Sequence, residues 1–180
     1  VEIGKKGEVV VNDQMATNVP GIYAIGDVVG KVMLAHVASA QGIVAAQNIA
    51  GADRRMSYAA VPSAIFTSPE VASVGLSERQ AKEEGFDVRI GKFPFTASGK
   101  ALAMGEAEGF VKIIADASTD RILGIHIVGP HATELIPEPT MAVRMKMTVA
   151  EFARTIHAHP TLAEAIGEAA EAVHRMAIHV

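Results

Sequence analysis

A histidine and a glutamate near the C-terminus, His159 and Glu164, have a spacing that could support proton transfer. They belong to the string HAHPTLAE over 157–164, in which Pro160 restricts the backbone between the two side chains. A carboxylate that accepts a hydrogen bond from one ring nitrogen of a histidine sets the tautomer and makes the other nitrogen a better base. A histidine held in this way could take a proton from a thiol.

The same string also permits two simpler interpretations. Thr161 and Glu164 have the spacing of a capping box, and the apolar residues after them have helical spacing, so the string could simply begin a helix. His157 and His159 could share a metal ion. The chain has no Cys and no further ligand cluster beside them, however, so no metal site is predicted.

A second motif, far upstream, ends in residues that are suited to binding. The string TNVPGIYAIGD over 17–27 predicts a turn and a short apolar strand that ends in Gly26 and Asp27. Gly26 would let a ligand approach the backbone because it has no Cβ, and Asp27 offers a carboxylate to hydroxyl groups. A helix predicted over 35–49 follows, and its N-terminus would carry partial positive charge. The alternative is an ordinary strand, turn and helix.

Together the two motifs resemble the flavin-dependent pyridine nucleotide–disulfide oxidoreductases, and the resemblance extends over nearly the whole chain. Intervening strings that match the family are FTSPEVASVG at 66–75, GKFPF at 91–95 and STDRILG at 118–124. The residues around His159 are most similar to the branch that oxidises dihydrolipoamide. Glutathione reductases share the core of this string and are the alternative branch.

The resemblance implies a role for each candidate residue. His159 would be the acid–base catalyst for the dithiol of dihydrolipoamide, and Glu164 would orient it. Both would act across a homodimer interface on the FAD and the disulfide of the other subunit, with the His159–Pro160 peptide in the cis form. His157 could line the channel for the lipoyl group or take a supporting or surface role. The residues implied to contact FAD are Gly26, Asp27, Met33, Leu34, Ala35, His159 and Pro160.

Two features that the family requires are absent from this chain. It has no Cys for the redox-active disulfide and no Gly-x-Gly-x-x-Gly fingerprint for a dinucleotide. The resemblance implies that these features and the NAD site lie upstream. Residues 1–60 would be the tail of the FAD-binding domain and residues 61–180 a complete interface domain. The chain alone is then expected to be inactive, and a second hypothesis is an isolated dimerisation module.

Composition restricts the class of protein and its partners. Hydrophobic residues are 49% and charged residues 20% of the chain, which suits a packed core, and no apolar run is long enough to predict a transmembrane helix. The net charge of −4 argues against nucleic acid as a partner. We expect a cytoplasmic protein. The partners implied by the resemblance are a lipoyl domain and the acyltransferase core of 2-oxo acid dehydrogenase complexes.

The order of strand and helix patterns predicts an α+β fold, an antiparallel sheet with helices on one face. Capping boxes at Ser77 and Thr148 predict helix starts, whereas Pro137 and Pro139 predict a break in a helix. Residues 96–108 read as a long connection. Strands are predicted over 8–11, 22–25, 64–67, 71–75, 88–95, 110–115 and 122–128.

Overall fold

The computed structural model describes residues 1–180, and its contacts divide them into two compact units. The first unit is Val1–Tyr58 and the second is Ala59–Val180.

The first unit is built around one long helix, α1, at Ala35–Ile49, which has the predicted bounds. A short 3-10 helix at Gly26–Val29 precedes it. The strands predicted over 8–11 and 22–25 are wrong, because each segment forms only an isolated bridge. A strand needs a neighbour along its length to pair its N–H and C=O groups, and neither segment has one within this unit.

The second unit contains a five-stranded antiparallel sheet in the order β1-β2-β5-β4-β3. The predicted α+β fold with an antiparallel sheet is therefore confirmed. The strands predicted over 110–115 and 122–128 are present as β4 and β5, which pair as a hairpin. The strands are β1 at Ser63–Ile65, β2 at Glu70–Gly75, β3 at Val88–Pro94, β4 at Phe110–Asp116 and β5 at Ile122–Gly129.

Side-chain alternation along β4 separates the two faces of this sheet. Val111 and Ile113 point into the main core, to which five of the six helices of this unit contribute, whereas Ile114 belongs to a smaller cluster with Ala81 of the remaining helix, α2. The helices are α2 at Glu78–Glu83, α3 at Gly99–Met104, α4 at Ala132–Leu135, α5 at Pro137–Met145, α6 at Val149–Ala153 and α7 at Glu164–Val173.

The short helices follow their capping residues. Both predicted capping boxes are present, one at Ser77 before α2 and one at Thr148 before α6. The prediction of a plain connection over 96–108 is wrong, because α3 forms there. Ser98 accepts a hydrogen bond from the first turn of α3, and Gly105 ends the helix in the left-handed conformation.

The predicted helix break is present, but it lies just before the prolines. α4 ends at Leu135 and α5 begins at Pro137, so the break is at Ile136. Proline is tolerated in the first turn of a helix because its missing N–H would have no acceptor there. Pro137 and Pro139 therefore begin α5 and do not interrupt it.

Helix α7 lies unusually close to the edge strand β3. A Cβ built on Gly91 would lie 2.0 Å from the carbonyl oxygen of Ala169 and 2.6 Å from the backbone nitrogen of Val173. Only glycine permits this approach of two backbones. The contact fixes α7 on the sheet, and with it Glu164 at the N-terminal end of the helix.

Candidate acid–base site

His159 and Glu164 are joined by a direct hydrogen bond. Nδ1 of His159 lies 2.8 Å from Oε1 of Glu164, and the ring donates this hydrogen bond to the carboxylate. The His159 side chain remains 78% exposed. Since Nδ1 carries the proton in this bond, Nε2 of the neutral ring is left as the acceptor. The arrangement presents a basic nitrogen to whatever lies beside the exposed ring.

The Glu164 carboxylate is fixed on both of its oxygens. Oε2 accepts a hydrogen bond of 2.8 Å from the backbone N–H of Thr161, while Oε1 accepts from His159. Burial alone would raise the pKa of Glu164, but the Thr161 N–H and the His159 ring outweigh it and hold the pKa below its usual range. Glu164 is therefore an anion at neutral pH and can stabilise positive charge on the ring.

The turn that carries His159 differs from an ordinary helix start. The prediction that Thr161 caps α7 is wrong, because α7 begins at Glu164 and has no side-chain cap. The hydroxyl of Thr161 donates instead to the carbonyl of Ala158, at 2.6 Å. The His159–Pro160 peptide is cis, as the resemblance implied. Of the two hydrogen bonds of a capping box, only the one from the Thr161 N–H to Glu164 is present. The Glu164 carboxylate also accepts a hydrogen bond from His159.

A second histidine shares the cleft beside this pair. Nδ1 of His179 donates to Oε1 of Glu168 at 2.7 Å, and the backbone N–H of Ile178 donates to Oε2 at 2.9 Å. Sequence reasoning missed this contact, although Glu168 lies one helical turn after Glu164 on the same face of α7. The cleft is lined by Phe93, Ala97, Ser98, Gly99, His159, Glu164, Ala165, Glu168 and His179.

His157 is placed quite differently from His159. Its side chain is only 10% exposed, and its Nε2 donates to Oε1 of Glu138 at 2.9 Å. Glu138 lies in the first turn of α5. Sequence reasoning missed this partner because the two residues are nineteen positions apart, and no local spacing connects them.

The candidate flavin-contact residues of the first unit lie in the Gly-Asp turn and in the segment that begins α1. Gly26 has a φ of +76° and donates its N–H to Oε1 of the buried Gln41 at 2.6 Å, which joins the Gly-Asp turn to α1. Asp27 and Met33 are exposed, and the Asp27 carboxylate accepts no hydrogen bond within the chain. Leu34 precedes the helix without a side-chain cap, and Ala35 begins it at the surface.

These residues fit FAD, the cofactor that the resemblance implies they contact. The exposed Asp27 carboxylate offers an acceptor for hydroxyl groups, and the uncapped N-terminus of α1 offers a partial positive charge for an electron-rich ring. No group of three or more His, Cys, Asp and Glu side chains is placed to hold a metal ion. No helix has the length and apolar character needed to cross a membrane.

Comparison with known proteins supports the same family. Dihydrolipoyl dehydrogenase of Thermus scotoductus is 50% identical over 180 residues, which is 100% of this chain and 39% of that protein. The enzyme of the same name from Chlamydia muridarum is 55% identical over 166 residues, which is 92% of this chain and 36% of that protein. The chain thus spans little more than a third of these relatives.

Solved structures agree with the sequence relatives. The crystal structure of LpdA from Mycobacterium tuberculosis superposes with a TM-score of 0.88 at 32% identity, covering 95% of this chain and 38% of that one. The flavoprotein disulfide reductase RclA from Escherichia coli gives a TM-score of 0.87 at 25% identity, covering 95% of this chain and 39% of that one.

Family matches cover most of the chain. Residues 1–42 match the pyridine nucleotide-disulphide oxidoreductase family, and residues 61–170 match the dimerisation domain of the same family. The second match alone extends over more than half of the 180 residues. This chain therefore belongs to the pyridine nucleotide-disulphide oxidoreductase family, and most of it is the dimerisation domain.

Proposed function

We propose that this chain is the C-terminal part of a flavoprotein that oxidises protein-bound dihydrolipoamide to lipoamide and reduces NAD. The hydrogen-bonded pair of His159 and Glu164 carries the proposal, because its geometry is that of an oriented general base. The name shared by relatives at about half identity favours dihydrolipoamide over glutathione as the substrate. The redox-active disulfide would lie elsewhere in the protein, since this chain has no Cys, and so would the NAD site, since it has no Gly-x-Gly-x-x-Gly fingerprint.

In the proposed reaction His159 removes the proton from a thiol of dihydrolipoamide. The proton moves from sulfur to Nε2, which leaves a thiolate that can attack a disulfide and a positively charged ring. Glu164 holds the ring through Nδ1 and stabilises the charge that forms on it. The same ring would return a proton when the reaction runs in reverse.

We also propose that the start of α1 contributes to FAD binding. Asp27 would bind hydroxyl groups of the ribityl chain, while the backbone of Met33, Leu34 and Ala35 would approach the ring system from the N-terminal end of the helix. Gly26, which has no Cβ, would allow the ribityl chain to approach the backbone closely. Bound FAD would supply the two-electron acceptor that lies between the dithiol and NAD.

The proposed active site needs two subunits, which the dimerisation domain would bring together. We propose a homodimer in which His159 and Pro160 of one subunit meet the FAD of the other, with residues 1–60 ending the FAD-binding domain and residues 61–180 forming the interface domain. Lipoyl domains and the acyltransferase core of a 2-oxo acid dehydrogenase complex would be the partners. The proposed location is the cytoplasm, where NAD is available for reduction.

Exposed apolar side chains of the second unit are consistent with a dimer interface. Phe66, Met141, Met145 and Ile156 are all at the surface of the isolated subunit. Large apolar side chains that are exposed in one subunit are candidates for burial against another. These residues are the first positions to test when the dimer is examined.

The test is a substrate comparison with the full-length protein. NADH formation from dihydrolipoamide is measured beside NAD(P)H consumption with glutathione disulfide. Turnover of dihydrolipoamide alone supports the proposal, and turnover of the disulfide alone would move the protein to the glutathione branch. No turnover of either would contradict both, and would favour a dimerisation module without its own chemistry.

A further inference from the structure

We propose that His157 and Glu138 form a positioning pair that fixes the turn carrying His159. The inference rests on the proposed function, because it gives His159 a reaction to perform. The two histidines of this turn are placed differently. The exposed His159 is available for proton transfer, whereas the largely buried His157 would hold the backbone.

The turn needs such support because it has little structure of its own. Residues 156–161 lie between α6 and α7 without helix or strand. Two of their contacts, Thr161 with Ala158 and Thr161 with Glu164, stay within the turn and the start of α7. The pair of His157 and Glu138 is the side-chain hydrogen bond that ties the turn to a different element, α5.

Burial along the turn identifies its anchors. Ile156 is 97% exposed and the His159 side chain is 78% exposed, whereas the His157 side chain between them is only 10% exposed. On the other side of His159, Leu162 is buried in the main core. The turn is therefore held before and after His159, by a polar anchor and by an apolar anchor.

Helix α7 also leaves room for the buried ring. Gly167 faces His157, and a Cβ built on Gly167 would lie 3.0 Å from Nδ1 of His157. The ring thus sits between α7 and α5, with Nε2 directed to the Glu138 carboxylate. A buried imidazole that loses its partner has an unsatisfied polar group, which favours movement of the ring toward water. Such movement would carry the adjoining backbone of Ala158 and His159 with it.

Displacement of His159 would affect the reaction more than the fold. A misplacement of about 1 Å at a reacting group can lower a rate by roughly 10²-fold. Glu164 holds the ring of His159 and the backbone N–H of Thr161, but it makes no hydrogen bond to the part of the turn that precedes His159. Loss of His157 or Glu138 should therefore lower kcat for the dithiol half of the reaction.

The experiment compares His157→Phe with His174→Phe in the full-length protein. Phenylalanine keeps the ring volume and removes the nitrogen that binds Glu138. His174 is the matched control, since its Nε2 binds Asp120 at 2.6 Å at the opposite end of α7, away from His159. We expect His157→Phe to lower kcat for dihydrolipoamide oxidation roughly 10- to 10²-fold. His174→Phe should leave kcat within about twofold of wild type.

Two further measurements separate positioning from general damage. Reduction of the bound flavin by NADH does not use the thiol proton, so its rate should be unchanged in His157→Phe. Glu138→Gln keeps a carbonyl oxygen that can accept from His157, and it should recover most of the rate that Glu138→Ala loses. Equal loss in both phenylalanine variants, or loss of NADH-driven flavin reduction, would overturn the positioning role.

The outcome is separable from failure of the proposed function. A wild-type protein that does not oxidise dihydrolipoamide, or a His159→Gln variant with a normal rate, would reject the proposed function itself. A wild-type protein that is active, with a His159→Gln variant that is not, validates the assay. A normal kcat in His157→Phe under those conditions would then reject this inference alone.

Discussion

The two ends of helix α7 each hold a histidine against a carboxylate. The contrast between them shows what makes such a pair available for acid–base catalysis. At the N-terminal end, His159 binds Glu164 at 2.8 Å and its side chain stays 78% exposed. At the C-terminal end, His174 binds Asp120 at 2.6 Å with both side chains about one quarter exposed. Residue types and distances are nearly the same at the two ends.

The surroundings of the two carboxylates differ. Asp120 lies in the β4–β5 turn, and its second oxygen accepts from the backbone N–H of Ala150, so the pair joins the turn, α6 and α7. Glu164 binds only within its own turn and leaves the far side of the His159 ring open. A histidine–carboxylate pair is thus available for catalysis when the free ring nitrogen is accessible, and structural when its neighbours enclose it.

The largest expected effect is on turnover, from His159→Gln in the full-length protein. Loss of a general base slows a reaction by roughly 10²–10⁴-fold. The dithiol half of the reaction should therefore slow by that factor, while FAD stays bound and its absorbance is unchanged. Steady-state NADH formation from dihydrolipoamide measures the change. A near-normal rate would show that the N-terminal pair is as structural as the C-terminal one.

The second-largest effect is expected from Gly91→Ala, which should displace α7 and both of its histidine–carboxylate pairs. The added Cβ would collide with the backbone of Ala169, so α7 must move away from β3. Overpacking of this kind costs about 1–3 kcal/mol. Denaturant unfolding measures the loss, and turnover should fall with it. Gly99→Ala is the matched control, because its Cβ would meet no atom within 4 Å and should not lower stability.

Sequence reasoning succeeded where the determining contacts are local. The helix predicted over 35–49 has the bounds of α1, and the capping boxes at Ser77 and Thr148 marked α2 and α6. His159 and Glu164 were visible together because a single turn separates them. Each of these signals lies within a few residues of the structure that it specifies.

Sequence reasoning failed where partners are distant along the chain. The pair of His157 and Glu138 depends on how α5 packs beside the turn, and no spacing within the string at 157–164 encodes that packing. The segments over 8–11 and 22–25 have strand composition, but strand formation requires a paired neighbour that this unit does not provide. Helix α3 was missed because Gly99 and its small neighbours obscured the cap at Ser98.

A smaller effect is expected from His174→Phe, and on stability only. Removal of the hydrogen bond to Asp120 should cost about 0.5–1.5 kcal/mol, the usual range for a single intramolecular bond. Denaturant unfolding of the full-length protein measures this loss, and kcat measured alongside should not change. A large loss of turnover would contradict the division of roles between the two ends of α7.

The smallest effect is expected in acid, from Glu164→Gln. The Thr161 N–H and the His159 ring hold the pKa of Glu164 below its usual value of 4.5 despite partial burial. The unfolded chain therefore binds the proton more readily, so the stabilisation by this group is complete above pH 4.5 and is lost as pH falls through the lower folded pKa. The difference in Tm between wild type and Glu164→Gln should shrink below that pH. A difference in Tm that does not vary with pH would mean that the Glu164 carboxylate is not held by the turn, and the contrast between the two ends of α7 would lose its electrostatic basis.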